Sequence, residues 1–197
     1  MVQLVEALEQ YAKENKIPIM QPDGIAFLLE QINQHHCTKI LEIGTAIGYS
    51  AIRMALLNKQ IHVTTIEKDP IRYEEARKNI KNAGLEEQIT VILGDAGKVE
   101  ITGSYDLIFL DGPKAQYISY FQKYEPNLTS DGIIVTDNLA FHGLVAHPET
   151  IRSKDLRALV RKITNYIEFL KDQPNFHTDF YEIGDGISVT TRKTSIN

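Results

Sequence analysis

Apolar positions along the chain change period several times, and those changes lay out the elements. Leu4, Val5, Leu8, Tyr11 and Ala12 recur at helical spacing over residues 2–16, and Ile17-Pro18-Ile19-Met20-Gln21-Pro22 breaks the pattern. A second helix is predicted over 24–33, with Asp23 as its cap. Short apolar or β-branched runs follow at 39–43, 61–67, 89–93, 105–111 and 132–137, each ending in glycine or a polar residue. Helical spacing separates several of them: at 49–58, at 69–83 between the Asp69-Pro70 start and the Gly84 stop, and at 117–125. The tail departs from this alternation. A helix at about 153–171 precedes strands at 178–183 and 187–191, which Gly184-Asp185-Gly186 joins into a hairpin.

Strand and helix alternating, with the strands apolar throughout, predict an α/β fold: a Rossmann-like doubly wound sheet, mostly parallel, with an antiparallel hairpin at its C-terminal end. Ligands of such a sheet sit beyond the carboxyl ends of the strands. At 197 residues and 43% hydrophobic content the chain can bury one full core, so a single domain over 1–197 is expected, with the helices of 1–38 covering the ligand site. The one cysteine, Cys37, excludes an internal disulfide framework, and neither a charged-then-apolar leader nor a membrane-length apolar run is visible. A cytoplasmic location with no membrane attachment is therefore expected. A net charge of −5 offers no general attraction to phosphate, so a nucleic-acid partner would need a local basic face.

Candidate chemistry gathers at the predicted strand ends. After the first strand the chain reads Glu42-x-Gly44-Thr45-x-x-Gly48-Tyr49-Ser50, in which glycine allows a sharp turn and the following helix offers free N–H groups. This is neither the G-x-G-x-x-G of dinucleotide folds nor a P-loop. Glu42 would repel a phosphate and suits an ammonium, as on the methionyl part of S-adenosylmethionine. Glu67, about twenty positions beyond the glycine loop, is placed to accept ribose hydroxyls. Gly94, Asp95 and Ala96 suit an adenine edge. Together these strand ends describe one nucleoside cofactor.

A second cluster is rich in oxygen. Asp111 ends the fourth strand, and Asp137 with Asn138 ends the fifth; two carboxylates and an amide oxygen suit Mg²⁺, with Mn²⁺ or Ca²⁺ as other hard ions. Such an ion would hold a substrate hydroxyl and a neighbouring oxygen and aim the oxyanion at a sulfonium methyl. Lys114 is placed either to accept the hydroxyl proton or to orient the oxyanion. His35-His36-Cys37 precedes the first strand, away from that rim, and is not expected to bind metal.

These motifs resemble the metal-dependent, catechol O-methyltransferase-like family of class I methyltransferases. LEIGTAIGYSAIRMA from Leu41, TIEKD from Thr65, GDA from Gly94, FLDGPKAQY from Phe109 and GIIVTDN from Gly132 stand in that family's order, and the resemblance extends from Ile17 to Arg192. It implies Asp111, Asp137 and Asn138 as metal ligands, Met20, Ser50, Glu67, Ala96 and Asp111 around the cofactor, and a homodimer. Two departures stand out: Asp-Gly-Pro-Lys replaces the commoner Asp-Ala-x-Lys, and the N-terminus begins nearer the cofactor loop. Within the family, IPIM, YEPNL, GLVA and the GDG hairpin are similar to the bacterial tRNA 5-hydroxyuridine methyltransferases, which implies the anticodon loop of tRNA as substrate.

That substrate makes chemical sense, because 5-hydroxyuridine places a hydroxyl beside a carbonyl, as a catechol pairs two oxygens. A small catechol-like molecule is the alternative. Arg152, Lys154, Arg157, Arg161 and Lys162, interrupted by a single acid at Asp155, form the local basic segment that RNA would require. Tyr117, Tyr120 and Phe141 are candidates for stacking a base, with core packing as the competing role.

Overall fold

The computed structural model describes residues 2–193. Two helices, α1 (Val2–Glu14) and α2 (Pro22–Gln34), precede β1 (Lys39–Ile43), α3 (Tyr49–Ala55), β2 (His62–Glu67), α4 (Pro70–Ala83) and β3 (Ile89–Leu93). Then come β4 (Tyr105–Leu110), α5 (Tyr117–Tyr124), β5 (Leu128–Thr136), α6 (Lys154–Lys171), β6 (Phe176–Tyr181) and β7 (Ile187–Arg192). The seven strands form one sheet in the order β3-β2-β1-β4-β5-β7-β6. β1 to β5 are parallel, while β7 runs antiparallel to β5 and β6 antiparallel to β7. The expected Rossmann-like architecture and C-terminal hairpin are both present.

Side-chain alternation along each strand sends residues to two separate cores. Ile40, Val63, Leu107, Phe109, Ile133 and Val135 pack with Leu28 and Ile32 of α2 and Ile52 of α3. Leu41, Ile43, Ile66, Ile108, Leu110 and Ile134 pack with Tyr117, Phe121 and Tyr124 of α5 and Ile163, Tyr166 and Leu170 of α6. A strand buried on both faces is mostly apolar, which is why these runs stand out in the sequence, with Glu42 of β1 and Thr65 of β2 as buried polar exceptions. Each such aliphatic residue contributes roughly 1.5–3 kcal/mol on full burial.

Some boundaries differ from expectation. α2 begins at Pro22 with Gln21 preceding it, and Asp23 does not cap it. The Asp23 carboxylate instead accepts from Gly24 N at 2.9 Å and, across the fold, from Gly184 N at 3.1 Å. Proline at the first helical turn needs no donor, so the helix starts without a side-chain cap. α3 is shorter than predicted and β5 longer, reaching back to pair Leu128 with Tyr105. β6 lies slightly N-terminal to the predicted strand. Asp69 does cap α4, accepting from Ile71 N and Arg72 N, and Gly84 closes it in the left-handed region. Among the described residues no helix is long and apolar enough to cross a membrane.

Strand order reverses between β2-β1 and β4-β5, so the connections leaving β1 and β4 part to opposite sides and open a crevice at the strand C-termini.

Candidate active site

A cavity of about 420 Å³ occupies this crevice, within the usual range for a small-molecule pocket. One wall comes from β1, β2 and β3, the other from β4 and β5, and the segment joining α1 to α2 closes over them with Pro18, Ile19 and Met20. The walls meet at Gly44. Its φ of +106° lies where side chains are strained, and a Cβ there would stand 2.6 Å from the Asp111 carbonyl oxygen. Only glycine lets the turn after β1 pass this close to the end of β4.

On the first wall, polar groups bind one another. Glu42 is fully buried beneath the turn, accepting from the Ser50 hydroxyl and, at 2.6 Å, from Thr65 Oγ1. The Thr45 and Thr65 hydroxyls are 2.6 Å apart. Burial pushes the Glu42 carboxyl up to about 7, against the pull of the Ser50 and Thr65 hydroxyls and with a further push from the Glu67 charge. Glu67, at the end of β2, accepts from Ala46 N at 2.8 Å, Lys68 N at 3.0 Å and Asp69 N at 2.9 Å. Three backbone donors thus fix a carboxylate with roughly four acceptor positions, leaving about one for a ligand hydroxyl. At the end of β3, Asp95 lines the cavity, and its Oδ1 accepts from Gly97 N at 2.9 Å.

The second wall is less complete. Asp137 is buried, and its Oδ1 has no hydrogen-bond partner. Burial, helped by the charges of Asp185 and Asp23, raises its carboxyl to about 6 although Asn138 N and Lys114 act the other way. Asp111 is raised well above the ordinary carboxylate range, first by burial and then by Asp137, with Lys114 opposing. Lys114 Nζ donates to Asn138 Oδ1 at 2.7 Å and lies 5.7 Å from the centre of the Phe141 ring. Asn138 itself has φ +63°, a strained conformation of the kind that collects at functional sites.

The sequence profile of the O-methyltransferase family matches residues 1–193. The chain belongs to the O-methyltransferase family. A catechol O-methyltransferase of Niastella koreensis is 40% identical to it over 126 residues, 60% of this chain and 56% of that protein. A caffeoyl-CoA O-methyltransferase of Stellaria longipes is 28% identical over 177 residues, 85% of this chain and 72% of the other. Among solved structures, a Staphylococcus aureus protein provisionally described as a caffeoyl-CoA O-methyltransferase aligns with a TM-score of 0.92 at 35% identity, over 96% of this chain and 92% of that one. A Bacillus cereus O-methyltransferase in complex with S-adenosylhomocysteine aligns with a TM-score of 0.82 at 26% identity, over 97% and 91% of the two chains. The relatives it matches within that family include caffeoyl-CoA and catechol O-methyltransferases.

Of the residues singled out from sequence, this O-methyltransferase brings Met20, Gly44, Glu67, Gly94, Asp95, Ala96, Asp111, Lys114, Asp137 and Asn138 to the cavity. Glu42, Thr45, Gly48, Tyr49 and Ser50 do not line it. Glu42, Thr45 and Ser50 form the hydroxyl and carboxyl layer under the turn, and Gly48, at φ +83°, starts α3 against Ala76. Tyr49 faces α1, where its hydroxyl donates to Glu9 at 2.7 Å and accepts from Arg53 at 2.8 Å. Tyr117 is core, donating to the Asp137 carbonyl at 3.0 Å, whereas Tyr120 is buried and also lines the cavity. Cys37 is buried with its Sγ 3.7 Å from the Asp106 carbonyl oxygen, and burial first, then the Asp106 charge, push its thiol up to about 12.

Sequence reasoning missed Ala46, Arg72, Pro113 and Asp185. Asp185 had a visible signal, an acid between two glycines, but read as hairpin punctuation. The donor set suits a hard cation: an orphaned buried carboxylate oxygen and a second raised carboxyl are what two acids show when nothing positive enough stands between them. Among the described residues no three His, Cys, Asp or Glu side chains gather to bind a metal, so such a site depends on the Asn138 amide as third donor.

Proposed function

We propose that this enzyme transfers the methyl group of S-adenosylmethionine to a hydroxyl flanked by a second oxygen, assisted by Mg²⁺ or a similar ion at Asp111, Asp137 and Asn138. The observation that carries the reading is the orphaned Asp137 Oδ1 beside Asp111 and Lys114 on the wall opposite the turn after β1. When bound, the ion supplies positive charge that lowers the pKa of the substrate hydroxyl.

The chain's own residues do the rest. Glu67 accepts a ribose hydroxyl, Gly94, Asp95 and Ala96 meet the adenine, and Met20 covers the cofactor. Lys114 rests as an ammonium donating to Asn138; after giving one proton to water, its amine takes the hydroxyl proton on Nζ, and the re-formed ammonium holds the developing oxyanion at the Asn138 side of the cavity. Methyl transfer to that oxygen needs in-line positioning more than further chemistry, and the two walls joined at Gly44 provide it.

For the substrate we favour 5-hydroxyuridine at the wobble position of tRNA, methylated to 5-methoxyuridine. Arg152, Lys154, Arg157, Arg161 and Lys162 are exposed, and among the described residues none takes part in an ion pair. Three of them, Lys154, Arg157 and Arg161, line a surface groove on α6, and α6 packs against the turn that carries Lys114. A phosphate backbone lying there would bring a splayed base to the reaction rim. The 40% identity to a catechol O-methyltransferase supports a second reading, a small catechol-like acceptor. Mass spectrometry of tRNA nucleosides from cells lacking the protein separates the two. Loss of 5-methoxyuridine-type nucleosides is expected, and an unchanged nucleoside profile refutes the tRNA substrate. A homodimer working in the cytoplasm completes the proposal.

A further inference from the structure

The tip of the β6–β7 hairpin reaches into the reaction wall although it lines no part of the cavity. Asp185 is 5% exposed, and its carboxylate meets the loop after β5 at two points. Oδ1 accepts the backbone N–H of His142, and Oδ2 lies 3.4 Å from the Asn138 side-chain nitrogen. Backbone bonds lock the same contact: Ala140 N donates to the Asp185 carbonyl at 2.7 Å and Leu139 N to that of Gly186 at 2.9 Å. Gly186 has φ +83°, and a Cβ there would fall 2.6 Å from Ala140 N. On the far side, Gly184 N is held by Asp23 of α2.

The Asn138 amide therefore lies between opposite charges. Its oxygen accepts from the Lys114 ammonium at 2.7 Å, and its nitrogen faces the Asp185 carboxylate. An amide has two ends of similar size and opposite polarity, so its orientation is set by its neighbours. Flipped by half a turn, it would present N–H groups to Lys114 and an oxygen to Asp185, which is repulsive at both ends.

We propose that Asp185 is a positioning residue that holds the Asn138 oxygen toward Lys114 and Asp137, so that the third donor of the site is an oxygen and not an amide N–H. The inference rests on the metal reading above. It assigns the Gly184-Asp185-Gly186 tip a role in catalysis, beyond joining two strands.

The test exchanges the polarity. In Asp185→Asn, the retained oxygen stays on His142 N and the new NH₂ faces the Asn138 nitrogen, which favours the flipped amide. Mn²⁺ binding followed by electron paramagnetic resonance, without cofactor or substrate, should weaken about ten- to a hundredfold, as is usual when a residue supporting a ligand is changed. The double variant Asp185→Asn with Asn138→Asp restores an oxygen at both contacts with no change in net charge, and should regain Mn²⁺ affinity. Unchanged affinity in Asp185→Asn overturns the proposal. So does a loss that the double variant fails to restore while its thermal midpoint matches wild type, because Asp185 would then not act through the orientation of the side chain at 138. Absence of Mn²⁺ binding in wild type sinks the metal reading itself and this inference with it, an outcome distinct from the other two.

Discussion

The two walls of the cavity are built from the same kinds of residue yet are in opposite states. On the β1–β2 side, Glu42 and Glu67 accept hydrogen bonds from the chain itself, from two hydroxyls in one case and three backbone amides in the other. On the β4–β5 side, Asp137 keeps an oxygen with no partner and shares its surroundings with a second acid. A carboxylate satisfied internally is positioned before any ligand arrives. One left short is strained until a cation or a proton comes. The cofactor wall is thus a finished surface, and the reaction wall is completed by what binds to it.

Removing the acid that is short of a partner should have the largest effect. Asp137→Ala is expected to lower kcat roughly 10²–10³-fold, while S-adenosylhomocysteine affinity, read by calorimetry, stays near wild type. A parallel loss of cofactor affinity would mean that the walls are not separate. Next comes the point where they touch. Gly44→Ala forces a Cβ against the Asp111 carbonyl at a φ of +106° and should cost roughly 2–4 kcal/mol, visible as a drop of about 10 °C in the melting temperature.

The third prediction uses pH. Asp137 titrates near 6 in the folded protein and near 3.8 when unfolded, so between those values the folded state binds more protons. In chelator, stability should therefore rise by a few degrees as pH falls from 7 toward 4, and Asp137→Asn should flatten the Asp137 contribution. Saturating Mg²⁺ should reverse the trend, because it favours the ionised acid. A midpoint that falls steadily over this range in chelator would contradict the unsatisfied-acid reading.

The smallest effect tests the finished wall. Glu42 titrates near 7 and lies under the turn, where its charge can still favour a ligand ammonium. Cofactor affinity should weaken as pH drops through 7, and Glu42→Gln should lose about tenfold in affinity while abolishing that pH dependence. An equal pH dependence in the variant would assign Glu42 to packing alone.

Much of this was legible from local pattern. The apolar runs of β1 and β4 announced themselves because both faces of a central parallel strand are buried, and the Asp69-Pro70 start and Gly84 stop of α4 are local chemistry. Asp23 was misread for the opposite reason: it stands where a cap would, but its second oxygen bonds to Gly184 on the hairpin tip, which local pattern cannot reveal. Tyr49 sits inside a ligand-binding motif, yet its ring turns to Glu9 and Arg53, a contact set by how α1 docks.

The sequence by itself determined the order of elements, the glycine turn after β1 and the acids at the strand ends, since backbone conformation and side-chain periodicity depend on near neighbours. Only the tertiary structure decided which of those acids are satisfied. Glu42 became a buried support, Asp137 an orphan, and Asp185 a neighbour of Asn138, because hydrogen-bond partners and burial are set by segments far apart in the chain that the sheet order brings together.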